Sequence, residues 1–158
     1  MRVDELMSAR VVTVDANAPV LQAANAMRDF VVGILPVLSQ GLLVGVVTDR
    51  DITDRLVVRE QNPRTTRVAD VMTTHVATCF GDDDVETAVA RMAARAVRRL
   101  VVLDRDDGAV AGVLSVDDLA RCPDHADWAL RVLDRLNRLR GVELDGLSGP
   151  AGDAKKQS

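Results

Sequence analysis

Two short segments of the sequence place a hydroxyl residue three positions before a carboxylate. Thr48 precedes Asp51 and Ser115 precedes Asp118, and an apolar stretch runs into each hydroxyl residue. A hydroxyl residue at a helix start lies beside free backbone amides and the positive end of the helix dipole, which suit an anion such as phosphate. The carboxylate one turn later can accept hydrogen bonds from ribose hydroxyls. The two segments therefore indicate nucleotide binding, although helix capping alone also explains both pairs.

Residues for catalysis or metal binding are sparse. His75 and His125 are the only histidines, and neither has a nucleophile or metal ligand at a recognisable spacing. Cys79 and Cys122 lack the spacing of a zinc or redox pair, so we expect free thiols. The acidic run at residues 82–84 is explained by a helix start rather than by a metal. The sequence predicts neither an enzyme nor a metal protein.

Composition excludes several classes of protein. The chain has 158 residues, a net charge of −4 and a pI near 5.1, which argue against nucleic acid as a main partner. No apolar run approaches the ~18 residues of a membrane helix. The free thiols and an N-terminus without an apolar signal region predict a cytoplasmic protein. With two Phe, one Trp and no Tyr, a flat ligand must be held by aliphatic side chains.

The elements that position these segments are duplicated. At an offset of 65 residues Met7 matches Met72, and after a two-residue insertion Gly45 matches Gly112 at an offset of 67. Self-similarity of this kind defines the architecture before any secondary structure is assigned. We predict repeat 1 over residues 1–60, a linker over 61–67 and repeat 2 over 68–123.

Each repeat shows the same order of patterns. In repeat 1 an extended segment at Val11–Val14 precedes an amphipathic helix, then two strands joined by a turn, then a second helix that begins at the hydroxyl residue. Asn17 and its counterpart Asp82 are the predicted N-caps of the amphipathic helices. The fold class is α/β (α+β), with two β-α-β-β-α units related by a pseudo-two-fold.

The remainder of the chain lies after the repeats. Residues 124–140 carry a stripe of apolar residues and are predicted to form an amphipathic helix that packs on a repeat or on a second subunit. Residues 141–158 are rich in glycine, small and polar residues, and we expect this tail to be disordered.

The duplicated order resembles paired cystathionine-beta-synthase (CBS) domains, also called a Bateman module. The resemblance covers residues 3–122 and rests on Val3-x-x-Leu6-Met7 with its copy Val68-x-x-Val71-Met72, on Ile34-Leu35-Pro36-Val37, and on Gly-x-x-Thr/Ser-x-x-Asp. It implies an adenosyl ligand in clefts between the repeats (AMP, ADP or ATP, sometimes S-adenosylmethionine or NAD) and a homodimer shaped as a flat disc.

The resemblance also implies the residues of two sites. In the first, Asp51 would bind the ribose, Thr48 the phosphate, and the adenine would lie among Thr13, Ile34, Leu35 and Pro36. The second would use Asp118, Ser115, Thr78, Arg99, Leu100 and Val101. Repeat 2 departs from the pattern, because Val101 replaces the proline and Asp117 replaces Arg50 near the phosphate position, although Arg98 and Arg99 can offset that charge. Repeat 1 is therefore expected to be the better phosphate site.

These observations predict a sensor or regulatory subunit with an adenine nucleotide as its regulatory ligand and no required cofactor. The alternative is a ligand-free scaffold whose repeats and C-terminal helix contact an unidentified protein partner.

Overall fold

The protein contains two three-stranded sheets of the same topology. The computed structural model describes the backbone of residues 1–147 and the side chains of residues 1–141. In each sheet the first strand runs parallel to the second, and the second pairs antiparallel with the third. The strands are β1 (Val14–Asp15), β2 (Ile34–Ser39) and β3 (Leu42–Thr48) in the first sheet, and β4 (Thr78–Phe80), β5 (Arg99–Leu103) and β6 (Val110–Ser115) in the second.

Helices flank both sheets and complete the predicted order. Short 3-10 helices occur at Val3–Glu5 and Pro123–His125, and a π-helical turn at Thr53–Val57 continues the second α-helix. The predicted β-α-β-β-α order is thus confirmed in both repeats. The α-helices are α1 (Val20–Phe30), α2 (Asp49–Ile52), α3 (Val68–Val71), α4 (Val85–Arg95), α5 (Val116–Ala120) and α6 (Ala126–Leu147).

The first strand of repeat 1 is shorter than its counterpart because of Pro36. In repeat 2 the amide of Val101 donates to the carbonyl of Ala77 at 3.0 Å, and β4 begins at the next residue, Thr78. Pro36 occupies the position of Val101 and has no amide to donate. Pairing in repeat 1 therefore begins one residue later, between Val14 and Val37. Only the last residue of the predicted extended segment Val11–Val14 joins the sheet.

Both predicted N-caps are wrong, because a turn intervenes before each helix. The amide of Asn17 donates to Asp15 Oδ1 at 2.8 Å, and α1 begins after Pro19. In repeat 2 the cap is Asp84, whose carboxylate accepts from the amide of Glu86 at 2.9 Å. Each helix consequently starts three residues after the predicted cap, at Val20 and at Val85.

Each repeat sends its leading segment into the core of the other repeat. Val3 is fully buried among the side chains of repeat 2, whereas Val68 and Val71 are buried among those of repeat 1. Backbone hydrogen bonds join Ser8 to Val113 in both directions at 3.0 Å, and the equivalent pair Thr73 and Val46 at 2.8 and 2.9 Å. We call residues 1–8 and 66–74 the exchanged segments.

Two glycines allow the exchanged segments to approach the strands closely. A Cβ on Gly45 would lie 2.9 Å from the carbonyl oxygen of Thr73, and a Cβ on Gly112 would lie 2.9 Å from that of Ser8. Each would also collide with a methionine sulfur, that of Met72 or Met7. The matched glycines of the two repeats are therefore required by the exchange itself.

The C-terminal helix α6 packs across α4 and α5 of repeat 2. Trp128, Ala129 and Val132 are buried in the core of repeat 2, with Leu133 and Leu136 packed against it. None of the described helices is long and apolar enough to cross a membrane.

The predicted bounds of this helix, residues 124–140, are wrong at both ends. A 3-10 turn at Pro123–His125 precedes it, and the helix runs to Leu147. Gly141 lies inside it at a cost of about 1 kcal/mol relative to alanine, which packing of the preceding turns offsets. The first seven residues of the predicted disordered tail are thus helical, and residues 148–158 lie outside the described part of the chain.

Candidate ligand-binding site

A cleft of about 760 Å³ lies between the two repeats. Its walls come from the start of α2, from the strand starts of β2 and β5, from the segment that follows α3, and from α6. Both repeats and the C-terminal helix therefore contribute to one cavity. The residues that line it are Ile34, Val46, Thr48, Asp49, Arg50, Asp51, Thr73, His75, Val76, Ala77, Ala96, Val97, Arg98, Arg99, Val101, Leu136, Leu139 and Arg140.

The predicted pair Thr48 and Asp51 forms a complete capping box at one wall of the cleft. The Thr48 hydroxyl accepts from the amide of Asp51 at 3.1 Å, and Asp51 Oδ2 accepts from the amide and the hydroxyl of Thr48 at 2.9 and 3.0 Å. Such a box satisfies two of the free amides at a helix start. The capping interpretation is thus correct for these atoms, and a ligand can bind only to the hydrogen-bonding positions that the capping box does not use.

The second carboxylate oxygen of Asp51 is less engaged. Oδ1 accepts from the Thr73 hydroxyl at 3.2 Å and lies 3.6 Å from Arg55 Nη1. Arg55 Nη1 also donates to the carbonyls of Val71 and Met72 at 2.9 and 2.8 Å, so it ties an exchanged segment to the site. A carboxylate oxygen offers two acceptor positions, and Oδ1 therefore retains capacity for a ribose hydroxyl.

The cleft is basic although the chain is acidic. Arg50, Arg98, Arg99 and Arg140 line it against two carboxylates, Asp49 and Asp51. Arg50 pairs with Asp54 at 3.4 Å, whereas Arg98 and Arg99 form no ion pair with any carboxylate among residues 1–141. Guanidinium groups suit phosphate oxygens because their planar donors can bind two oxygens at once. This charge distribution fits an anionic ligand.

The structure combines residues of the two predicted sites around this one cleft. Ile34, Thr48 and Asp51 of the first site face Arg99 and Val101 of the second. The other predicted residues do not line it: Thr13 is exposed, Leu35 and Leu100 are completely buried, Pro36 is buried, and Thr78, Ser115 and Asp118 lie elsewhere.

In repeat 2 the hydroxyl and carboxylate form the same cap without facing the cleft. The carboxylate of Asp118 accepts from the amide and hydroxyl of Ser115 at 2.8 and 2.6 Å, and Arg121 lies 3.6 Å from its other oxygen. The residue is only 6% exposed. Two chemically matched caps thus differ in whether a ligand in the cleft can reach them.

Several residues at the site are absent from the predicted sites. Thr73, which lines the cleft, and Arg55, which lies behind Asp51, carry no sequence signal because their contacts link segments that are distant in sequence. Arg98 was expected to serve repeat 2, yet it lines the same cleft as Thr48. Arg140 lies on the predicted amphipathic helix, but an apolar stripe does not reveal which surface it covers.

The histidines and cysteines are not arranged as a catalytic group. His75 lines the cleft as an exposed side chain, and His125 stacks on Trp128 at 3.9 Å between ring centroids. Burial, with a smaller contribution from Asp83, raises the pKa of the Cys79 thiol to about 11, which keeps it protonated and unreactive at neutral pH. Among the described residues no three His, Cys, Asp or Glu side chains are grouped to hold a metal ion.

Comparison with known proteins identifies the family. The sequence model of the CBS domain matches residues 3–58 and again residues 68–125. The chain belongs to the CBS domain family. The CBS domain-containing protein YhcV of Bacillus subtilis (strain 168) is 34% identical over 118 residues, which cover 75% of this chain and 82% of YhcV. The relatives named as enzymes match over only 22% or 23% of their own length.

Solved CBS structures share the fold. The CBS domain protein TA0289 of Thermoplasma acidophilum superposes with a TM-score of 0.75 at 28% identity, covering 87% of this chain and 76% of that one. The CBS domain pair of protein MJ0100, solved in complex with 5′-methylthioadenosine and S-adenosyl-L-methionine, superposes with a TM-score of 0.68 at 24% identity, covering 77% and 94%. The chain is thus a CBS pair followed by a helix.

Proposed function

We propose that this CBS pair is a regulatory module that binds one adenine nucleotide, AMP, ADP or ATP, in the cleft between its repeats. One observation carries the proposal. Thr48 and Asp51 at the start of α2 line the same cavity as the arginines of repeat 2. A cleft of about 760 Å³ lies within the usual range for small-molecule sites. The adenosyl ligands of MJ0100 support the choice of ligand class, since that protein has the same fold.

In this proposal each group has a distinct role. Asp51 Oδ1 accepts from a ribose hydroxyl, while Arg98 and Arg99 bind phosphate oxygens. The partly exposed aliphatic side chain of Ile34 holds the adenine without aromatic stacking. Binding regulates by favouring one arrangement of the repeats over another, to the extent that the ligand binds the two arrangements differently.

The module itself is proposed to have no catalytic activity, because the relatives named as enzymes share with it only a region of CBS length. A cytoplasmic location belongs to the same proposal and is supported by the two free cysteines, since reducing compartments keep thiols in that state.

A homodimer or a protein-binding scaffold is the second candidate. Its support is the apolar surface of repeat 1, where Phe30 is 62% exposed and Val58 is 70% exposed. Phe30 ends α1, and Val58 follows the π-helical turn after α2. In repeat 2 the equivalent helices, α4 and α5, are covered by α6. A second copy or an unidentified partner protein would find its apolar contacts on repeat 1.

The decisive experiment is a calorimetric titration with AMP, ADP, ATP, S-adenosylmethionine and NAD. We expect at least one adenine nucleotide to bind with millimolar or better affinity. At a concentration of about 100 times Kd it should stabilise the fold by ~2.7 kcal/mol and raise Tm by ~5–10 °C. Absence of binding by all five compounds would leave the scaffold as the function.

A matched pair of variants tests the site assignment. Asp51→Asn and Asp118→Asn weaken equivalent capping boxes, so their effects on folding stability should be similar. Only Asp51→Asn should weaken nucleotide binding, by about tenfold, because hydrogen bonds to a charged acceptor are strong. Equal nucleotide affinities of the two variants would refute the role of Asp51.

A further inference from the structure

The C-terminal helix lines the cleft although it lies outside the CBS repeats. The second match to the CBS domain ends at residue 125, and α6 begins at Ala126. Leu136, Leu139 and Arg140 nevertheless line the same cavity as Thr48 and Arg99. The cleft therefore has one wall that the CBS repeats do not supply.

A single stripe of α6 connects this wall to the core of repeat 2. Val132, Leu136 and Leu139 follow each other at spacings of four and three residues, so they lie on one face of the helix. Val132 is completely buried in the core, and Leu136 both packs against that core and lines the cleft. Leu139 and Arg140 lie beyond the core, about 5–6 Å further along the helix axis. The base of α6 is thus held by the core, whereas Leu139 and Arg140 face the cleft.

We propose that residues 136–140 of α6 are a ligand-responsive wall of the nucleotide site, in which Arg140 binds phosphate oxygens and Leu136 and Leu139 contact the ligand. The inference rests on the proposed function. Arg140 adds a further cation to a cleft already lined by Arg98 and Arg99, and a polyphosphate relieves their mutual repulsion. Phosphate groups therefore favour the docked position of Arg140.

Linkage makes this arrangement a means of readout. If a nucleotide binds better when residues 136–141 are docked, then it stabilises their docking by the same factor by which docking strengthens its binding. Helix ends with few buried contacts open more readily than the core, so this segment can respond without unfolding repeat 2. Occupancy of the cleft is thus converted into the order of a surface helix that a partner can bind.

The test compares Arg140→Ala with Arg135→Ala, an exposed arginine of the same helix that does not line the cleft. Titrations use ATP and adenosine. Arg140→Ala should weaken ATP binding by about tenfold while leaving adenosine binding nearly unchanged, since charged hydrogen bonds to phosphate are lost. Leu139→Ala should weaken both ligands, and Arg135→Ala neither.

Hydrogen exchange gives a second, independent readout. Saturating ATP should slow amide exchange over residues 136–141 in the wild-type chain and have less effect in Arg140→Ala. Emission from Trp128, the single tryptophan, should stay constant and confirm that the base of α6 remains docked.

Two results would overturn the inference while leaving the proposed function in place. One is ATP binding by Arg140→Ala that equals that of Arg135→Ala, and the other is exchange over residues 136–141 that ATP does not alter. Failure of the wild-type chain to bind any of AMP, ADP, ATP and adenosine would instead refute the proposed function.

Discussion

The exchange of leading segments can be tested by filling the two glycine positions, Gly45 and Gly112. In Gly45→Ala the new methyl group would lie 2.9 Å from the carbonyl oxygen of Thr73 and 2.7 Å from the sulfur of Met72. Carbon–oxygen contacts are normally at least about 3.3 Å, and the carbonyl belongs to the backbone. The exchanged segment must therefore move away from β3 and stretch the paired hydrogen bonds between Val46 and Thr73.

The magnitude follows from three contributions. Overpacking costs about 1–3 kcal/mol. Weakening two backbone hydrogen bonds costs roughly 1 kcal/mol more. The reduced entropy of the unfolded chain returns about 0.4–1 kcal/mol. We expect a loss of ~2 kcal/mol for each variant and, because the two sites share no residue, about twice that for the double variant.

Urea denaturation with linear extrapolation measures these changes, and Tm should fall by ~4–8 °C for each single variant. Gly141→Ala is the control, because its Cβ meets nothing within 4 Å and lies in a helix. That control should be neutral or stabilising by up to about 1 kcal/mol. Free energies of unfolding for Gly45→Ala and Gly112→Ala within 0.5 kcal/mol of wild type, on the order of the scatter for surface substitutions, would refute the close approach.

Two further predictions concern the surface. Arg105 lowers the pKa of Asp82 chiefly by hydrogen bonding, so the unfolded carboxyl is protonated first as the pH falls. The difference in free energy of unfolding between wild type and Arg105→Gln, measured by chemical denaturation, should therefore be constant above about pH 5 and shrink below ~pH 4. A difference that grows in acid would contradict the lowered pKa of Asp82. Val31 adopts the left-handed conformation (φ 54°), which a β-branched residue disfavours. Val31→Asn should therefore raise the free energy of unfolding by ~0.5–1 kcal/mol, whereas the control Val58→Asn, at a right-handed φ of −62°, should not. Equal effects of the two variants would refute the conformational explanation.

Local pattern was sufficient to predict the elements of both repeats. The amphipathic spacing around Met27 and Met92 and the paired strands after each helix are encoded within short windows, and these elements occur as expected. The predicted helix starts are wrong because Asp15 and Asp83 accept hydrogen bonds within turns, and each helix begins only after its turn. The shortening of β1 could not be predicted, because it depends on which residue of β1 lies opposite Pro36, and the sequence alone does not give that register.

Contacts between segments that are distant in sequence could not be predicted from local pattern. Val3 and Val68 occupy matching positions in the two repeats, so the pattern cannot say which core each one enters. For the same reason Thr48 and Asp51 were predicted together, but their meeting with Arg98 was not. The apolar stripe of α6 likewise fixed its inner face without identifying repeat 2 as its partner.

The exchanged segments also set an order for folding during synthesis. Residues 66–74 leave the ribosome soon after β3, so the first sheet can complete its core while the second is still being made. Residues 1–8 emerge before both sheets but must wait for β6, and at about 5–20 residues per second that delay is roughly 5–20 s. A protein cut in the linker would yield two halves that each carry the other's missing segment, and they should reassociate rather than fold separately.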